Sequence, residues 1–449
     1  MKKNMNRRKF VGILGTAGVC AVGIGSGITA CSSPKTTTVT TADEKGLDLL
    51  WDKSETADKI VVVSDLHFGI EDSFAQNVAS KPKFVEFIDK LIVVGDVREL
   101  VIAGDFLDEW ILPLSYPSHN DSDAFYRQCI ANNQEVFDSL RKAIESGIKV
   151  VYVPGNHDMT LTEDVLAEEL PGLVQARDAV GMGVHITGDR NEIAIEHCHR
   201  YDVYSAPDTV SNRALVGNDD TMLPPGYFYA RLGTQWKYEG KPSNKVDYPI
   251  IDKAPDASDV DQTGAYLHYM IMTSLLLTQY TPNVGFDEKI FDVHIAGFDD
   301  SYSEYDMCPR MMEDGSISAP TLYKNFQRTW DERQVVNKVN SKLSFIEAVK
   351  GTGSAEFFRN QASKQYIDNP DSGIDIVVFG HSHVPDFQDF GNGRYYVNDG
   401  TWIDTNLSAD ADLTRTFALI TTGATDSVKL CKYELDGSVS DITAEHTTA

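Results

Sequence analysis

Six cysteines in 449 residues are too few and too scattered to form a disulfide framework. Cys20 and Cys31 fall near the N-terminus, and Cys129, Cys198, Cys308 and Cys431 are widely spaced. One pair of these four could join in an oxidising compartment, but spacing does not say which. Long apolar runs are also missing beyond residue 30. The most apolar later window, Tyr266–Leu277, holds twelve residues, too few to cross a bilayer. A buried helix is the expectation there, with a membrane-touching or lipid-gripping helix as the alternative. Basic charge is scarce: 40 Lys and Arg stand against 67 Asp and Glu, a net charge of −27. Residues 1–30 hold five of the basic residues and no acid, so the rest of the chain is more acidic still. Such a surface repels nucleic acid and anionic headgroups, and it favours solubility. No internal repeat is visible, which excludes solenoids and propellers. The remaining composition, 42% hydrophobic and 24% charged, is that of a globular protein.

The first thirty residues read as an export signal. Asn6-Arg7-Arg8-Lys9-Phe10-Val11 resembles a twin-arginine sequence, and Phe10–Ala30 is uncharged with six glycines. Ile28-Thr29-Ala30-Cys31 resembles a lipobox, whose cysteine is lipidated and becomes the mature N-terminus. A plain transmembrane anchor is the alternative. Either places the rest of the chain outside the cytoplasm, so the expected contact with a membrane is the N-terminal lipid or anchor alone. Residues 31–46, rich in Thr and Ser, have no apolar period and read as a flexible tether. The body spans 47–449.

Within that body, short apolar runs end in polar clusters. Ile60–Val63 leads to Ser64-Asp65-Leu66-His67, and Leu100–Ala103 leads to Gly104-Asp105-Phe106-Leu107-Asp108. Lys149–Val153 leads to Gly155-Asn156-His157-Asp158, Ile193–Glu196 to His197-Cys198-His199, and Ile374–Phe379 to Gly380-His381-Ser382-His383. Such runs read as buried strands. Parallel strands bring their C-terminal ends to one edge, where open α/β sheets keep their ligands. Carboxylates, an amide oxygen and imidazoles together suit divalent ions of the zinc, manganese or iron kind. There are enough donors for two, with Asp105 as the natural bridge. Helices are expected over Phe84–Leu91, Ala124–Ile144 and Asp164–Leu170, with further strands at Val184–Thr187, Tyr395–Val397, Phe417–Thr421 and Val428–Tyr433.

The ordered series D-x-H, G-D-x-x-D, G-N-H-D, a later His and G-H-x-H resembles that of the calcineurin-like metallophosphoesterases. The resemblance implies an α/β fold, a four-layer αββα sandwich of two mixed sheets. It also implies two divalent metal ions. One would be held by Asp65, His67, Asp105 and His383. The other would be held by Asp105, Asn156, His197 and His381. A hydroxide between them would attack the phosphorus of a small phosphorylated substrate. His157 would protonate the leaving oxygen or stabilise the transition state, and Asp158 would orient it. Asp108 would bond backbone or a ligand histidine. His197-Cys198-His199 with Asp202 is similar to an H-G-H-x-x-D variant whose first His binds metal. That leaves His199 and Asp202 in supporting places. The alternative function is a surface lipoprotein that binds metal without turnover.

His381 follows His197 by 184 positions, far more than a crossover needs, so about 205–372 reads as a mainly helical insertion. Within it, Val293–Phe298 reads as one more sheet strand. Thr321 to about Lys350 reads as a long polar helix with Phe326, Trp330, Val335 and Val339 on one stripe. Tyr227-Phe228-Tyr229, Arg231, Trp236 and Tyr238 form an aromatic cluster that reads as the core of a small subdomain. It has a second reading: with Tyr266–Leu277 it would wall the crevice, and Arg231 would grip the substrate. Cys198 reads as a small buried filler. His185, His268 and His294, in apolar runs, read as core or surface residues rather than ligands.

Overall fold

A computed structural model of the chain describes residues 51, 53–116, 121–242, 249–273, 284–318, 322–405 and 413–448. The export signal, the tether, Cys31 and the end of the Tyr266–Leu277 window lie outside the described residues. Each of the five apolar runs that lead to the polar clusters contains a strand. Both faces of these strands are covered, which is why their sequences are apolar at nearly every position rather than alternating.

The first sheet has seven strands in the order Val439–Asp441, Ser427–Tyr433, Thr416–Thr421, Lys59–Val63, Val97–Ala103, Lys149–Val153, Val174–Gln175. The last four run parallel, and Thr416–Thr421 pairs antiparallel with Lys59–Val63. The second sheet has five strands in the order Asp386–Gly391, Arg394–Asn398, Ile376–Phe379, Ile193–Glu196, His185–Thr187. Ile376–Phe379 is parallel to both of its neighbours, and the two edge strands are antiparallel.

The two-residue period of the strands sorts their side chains into three apolar layers. Ile60, Val62, Val101 and Val151 pack against Ile193, Ile195, Ile376 and Val378 of the second sheet, so the sheets lie face to face. Val61, Val63, Leu100 and Ile102 point the other way, onto Phe84, Phe87 and Leu91 of the helix Lys81–Val94 and onto Phe137 and Leu140. Ala194, Val377 and Phe379 cover the outer face of the second sheet, against Phe228, Trp330 and Phe358 of the inserted helices. The result is the expected α/β sandwich of two mixed sheets between helical layers. Truncating an Ile of the central layer to Ala costs about 2–5 kcal/mol by transfer and cavity terms.

Three expectations about elements are corrected. Ala124–Ile144 is two helices, Ser122–Asn132 and Gln134–Glu145. Asn133 breaks the run because its buried side-chain amide donates to Gly69 O at 3.0 Å and Cys129 O at 2.7 Å. Thr321–Lys350 is likewise broken, into Phe326–Val336 and Phe345–Gly351. Asn337 ends the first, its amide donating to Pro207 O at 3.1 Å, and a Ser344/Glu347 capping box starts the second. Phe326, Trp330 and Val339 are buried, but Val335 is exposed. Val293–Phe298 does not extend a main sheet. Phe291–Ile295 and Phe298–Tyr302 form a hairpin of their own, turning at Ala296 and Gly297 with φ of 50° and 85°. All four described cysteines are buried, and none of them is in a disulfide.

Between Ser205 and Ser372 the described elements are this hairpin and mainly helices: Thr209–Leu215, Pro225–Tyr238, Val260–Ile271, Phe326–Val336, Phe345–Gly351 and Ala355–Ala362 among them. Among the described residues no helix is long and apolar enough to cross a membrane.

Candidate metal centre

Five strand ends meet at one edge of the sandwich. Three belong to the first sheet and carry Asp65 with His67, Asp105, and Asn156 with His157. Two belong to the second sheet and carry His197, and His381 with His383. The backbone turns sharply there. Asp65, His67, Asp105, His381 and His383 all have positive φ, at 53°, 47°, 51°, 70° and 57°. Each such non-glycine residue costs about 1–3 kcal/mol, and the cost is concentrated on the residues that would hold ligand. The turns are tied together, with Asp65 N donating to Gly104 O at 3.1 Å and His67 N to Asp105 O at 2.9 Å. Two motif glycines are sterically required. A Cβ on Gly155 would lie 2.1 Å from Asp105 N, and one on Gly104 would lie 2.5 Å from the His197 ring.

The donor atoms fall into two groups. In the first, one ligand atom each from Asp65, His67, Asp105 and His383 lies within 4.8 Å of the others. His383 Nε2 is 2.9 Å from Asp65 Oδ1, and His67 Nε2 is 3.5 Å from Asp105 Oδ2. In the second, His197 Nε2 is 3.0 Å from Asn156 Oδ1 and 3.2 Å from Asp105 Oδ2. Asp105 Oδ2 therefore faces both groups. Its other oxygen is taken, accepting the His157 N–H at 2.8 Å.

The outward nitrogens of the histidines are committed. His67 Nδ1–H donates to Asp108 Oδ2 at 2.7 Å, and His197 Nδ1–H donates to Ala103 O at 2.8 Å. His381 Nε2–H donates to Asp202 Oδ2 at 3.2 Å. Each bond fixes a tautomer and leaves the other nitrogen's lone pair to a cation. Asp65 Oδ1 and Asp105 Oδ2 are buried and accept no hydrogen bond. His67 Nε2 and His383 Nε2 lie only 3.1 Å apart. Crowded lone pairs and orphaned carboxylate oxygens are costly alone and are satisfied by divalent cations, so the residues fit a pair of metals.

The electrostatics agree. Burial by itself would raise the pKa of Asp65 and Asp105, but the surrounding histidines hold both well below the usual carboxylate range. Burial would lower His197, yet Asp105 and Asp65 carry it up to about 9. Asp108 and Asp65 raise His67 against its burial in the same way. Protons on these rings thus stand where metals would, and metal uptake would release them.

The family model for calcineurin-like phosphoesterases matches residues 58–385, most of the chain and every motif above. The chain belongs to the calcineurin-like phosphoesterase family. A solved dimetal phosphatase from Danio rerio is similar at 11% identity and a TM-score of 0.31, over 87% of this chain and 99% of its own. No curated protein sequence matches the chain.

The other expected residues of this calcineurin-like chain fall as follows. His157 lies beside the first group, its ring edge-on to His67 at 4.5 Å. Its Nδ1 donates to Asp108 Oδ1 at 3.0 Å, and its buried Nε2 has no partner. Asp158 does not orient it, which corrects the sequence expectation. The Asp158 carboxylate turns away from that ring and accepts from Gly155 N of its own loop at 2.7 Å and from Phe106 N of the Asp105 loop at 2.8 Å. Burial and then Asp105 push its pKa up to about 6. Asp108 instead serves both His67 and His157. His199 Nε2 donates to Gly181 O at 3.0 Å, its buried Nδ1 makes no hydrogen bond and its ring lies 5.4 Å from that of His197, while burial drives its pKa well down. Cys198 is buried, with Sγ 3.8 Å from Gly380 O.

Arg231 is corrected too. It is buried, and its guanidinium donates to Tyr227 Oη at 2.6 Å, Pro113 O at 2.9 Å and Tyr116 O at 3.0 Å. It braces the loop after Asp108 rather than gripping a substrate, and Tyr227, Phe228 and Tyr229 are core. That places Tyr227, Phe228, Tyr229 and Arg231 in the first of the two readings, the subdomain core, while Trp236 is half-buried and Tyr238 is exposed. His185 bonds Glu99 at 2.7 Å, His294 lies 2.6 Å from Asp299 on the hairpin, and His268 is core.

Two contributors escaped the sequence. Trp110 stacks on His157 at 4.4 Å. Asp399 holds Ser64 Oγ at 2.6 Å, and Ser64 in turn bonds Asp65 Oδ2. Burial pushes the Asp399 carboxyl well above the usual range. Asp399 directly follows the strand Arg394–Asn398, and the strand-end rule would have found it.

Proposed function

We propose that the protein hydrolyses phosphate esters or anhydrides with two divalent metal ions. The observation that carries this reading is Asp105 Oδ2, an orphaned oxygen shared by two donor groups. Asp65, His67, Asp105 and His383 would hold one ion, and Asp105, Asn156, His197 and His381 the other. When bound, such a pair supplies hydroxide at neutral pH and positive charge for the phosphoryl oxygens. Asp108 keeps the tautomer of His157, and Trp110 fixes the plane of its ring. In the imidazolium form of His157, with Nδ1–H bonded to Asp108, the Nε2–H is the proton offered to the leaving oxygen. The net charge of −27 argues against a nucleic-acid substrate. The twin-arginine-like segment and Cys31 support export and lipid anchoring, facing the periplasm or cell exterior.

The test is turnover. Protein loaded with manganese, iron or zinc should hydrolyse members of a panel of phosphomonoesters, diesters, nucleotides and pyrophosphates, and chelation should abolish the activity. A fully metal-loaded protein inert towards the whole panel refutes the reading.

A further inference from the structure

His381 comes from the sandwich, but the groups that orient its ring come in part from the insertion. Asp202 Oδ2 accepts the His381 Nε2–H at 3.2 Å. Asp202 is itself held through Oδ1, which accepts from Tyr204 N at 2.9 Å and from Thr352 Oγ1 at 3.2 Å. Thr352 lies 150 residues further along the chain, just past the inserted helix Phe345–Gly351, and is buried. Its hydroxyl also approaches Ala348 O at 2.9 Å, the ordinary back-bond of a Thr at a helix end. A carboxylate only accepts, so the contact with Asp202 draws on the same hydroxyl proton. A second inserted group closes on the ring from its side. Phe358, of the helix Ala355–Ala362, meets His381 edge-on at 5.3 Å and 87°, and is itself fully buried.

These contacts have one effect in common. The bond to Asp202 keeps the proton on Nε2 and the lone pair on Nδ1, and the two inserted side chains hold that arrangement in place. Ligating histidines with such outer partners bind metal more tightly than those without. We propose that Thr352 is a positioning residue for the second metal, acting through Asp202 on His381, so that the insertion helps set the affinity of that site. The proposal rests on the two-metal reading above.

The experiment is metal titration of the full-length chain, with manganese competed against a chelating dye. Thr352→Val replaces the hydroxyl by a methyl of similar size. The first manganese should bind as in wild type. The second should bind about tenfold more weakly, the low end of the range for outer partners because Thr352 acts through one further bond. Thr352→Ser should restore the second affinity, which a purely packing role for Thr352 would not predict, and the metal-free forms should melt alike. Wild-type affinity for the second manganese in Thr352→Val overturns the proposal. Should that variant fail to fold, Thr352→Ala carries the same expectation and the same refutation. A wild-type protein that takes up only one manganese refutes the two-metal reading itself. Two manganese ions bound without any turnover would refute the hydrolase and leave Thr352 in place.

Discussion

Three histidines proposed as ligands have one ring nitrogen committed to the protein: His67 to Asp108, His197 to Ala103 O and His381 to Asp202. His157 shares Asp108 with His67 but keeps its Nε2 unpartnered. On the proposed function this separates a ligand from an acid. His157→Ala should retain two metals and lose about 10²–10⁴-fold in rate on alkyl phosphates. The loss should shrink on nitrophenyl phosphates, whose leaving group needs no proton. Metal analysis beside rates on both substrates checks this, and a variant stripped of metal would contradict it. At this scale the sequence was legible where a residue ends a buried strand, as Asp65, Asp105, Asn156 and His381 do. It was illegible where a carboxylate had a choice of partners. Asp158 is next to His157 in sequence but bonds its own turn, while Asp108, 49 residues away, reaches the ring.

Among the elements, the strands were legible because their apolar runs have no competing explanation once both faces are covered. The helix breaks at Asn133 and Asn337 were not. An Asn on a helical period looks like any solvent-facing polar residue until its amide is seen to satisfy a distant carbonyl. The same holds for His268 in the inserted helix Val260–Ile271. It is fully buried, accepting the Tyr204 hydroxyl at 2.9 Å and donating to Met307 O at 2.9 Å. Burial lowers its pKa to about 4. The unfolded chain binds a proton near pH 6.5 that the native chain refuses, so stability falls as pH drops from about 6.5 to about 4. The loss approaches 3 kcal/mol, at about 1.4 kcal/mol for each pH unit of the window. Denaturant midpoints should therefore show the advantage of wild type over His268→Leu at its full size above pH 6.5 and shrinking below it. A constant difference across that window would show that His268 is not held neutral.

For the molecule as a whole, the order of strands and helices conveyed the sandwich, since parallel strands with helical crossovers have few ways to pack. The placement of the insertion was not conveyed. Its contacts with the centre join residues far apart in sequence, such as Thr352 and Asp202, and no local pattern marks them. The proposed anchoring is also tested on the whole chain. Cell fractionation should find wild type with the membrane and Cys31→Ser in the soluble exported fraction, whereas a variant that stays with the membrane would point to a transmembrane anchor instead. The central claim is that Asp105 joins two metals into one hydrolytic centre, and metal content measured together with phosphoester turnover in Asp105→Asn tests it most directly. The expected result is well under two metals per chain and nearly abolished turnover in a folded protein. Two tightly bound metals with wild-type turnover would contradict it.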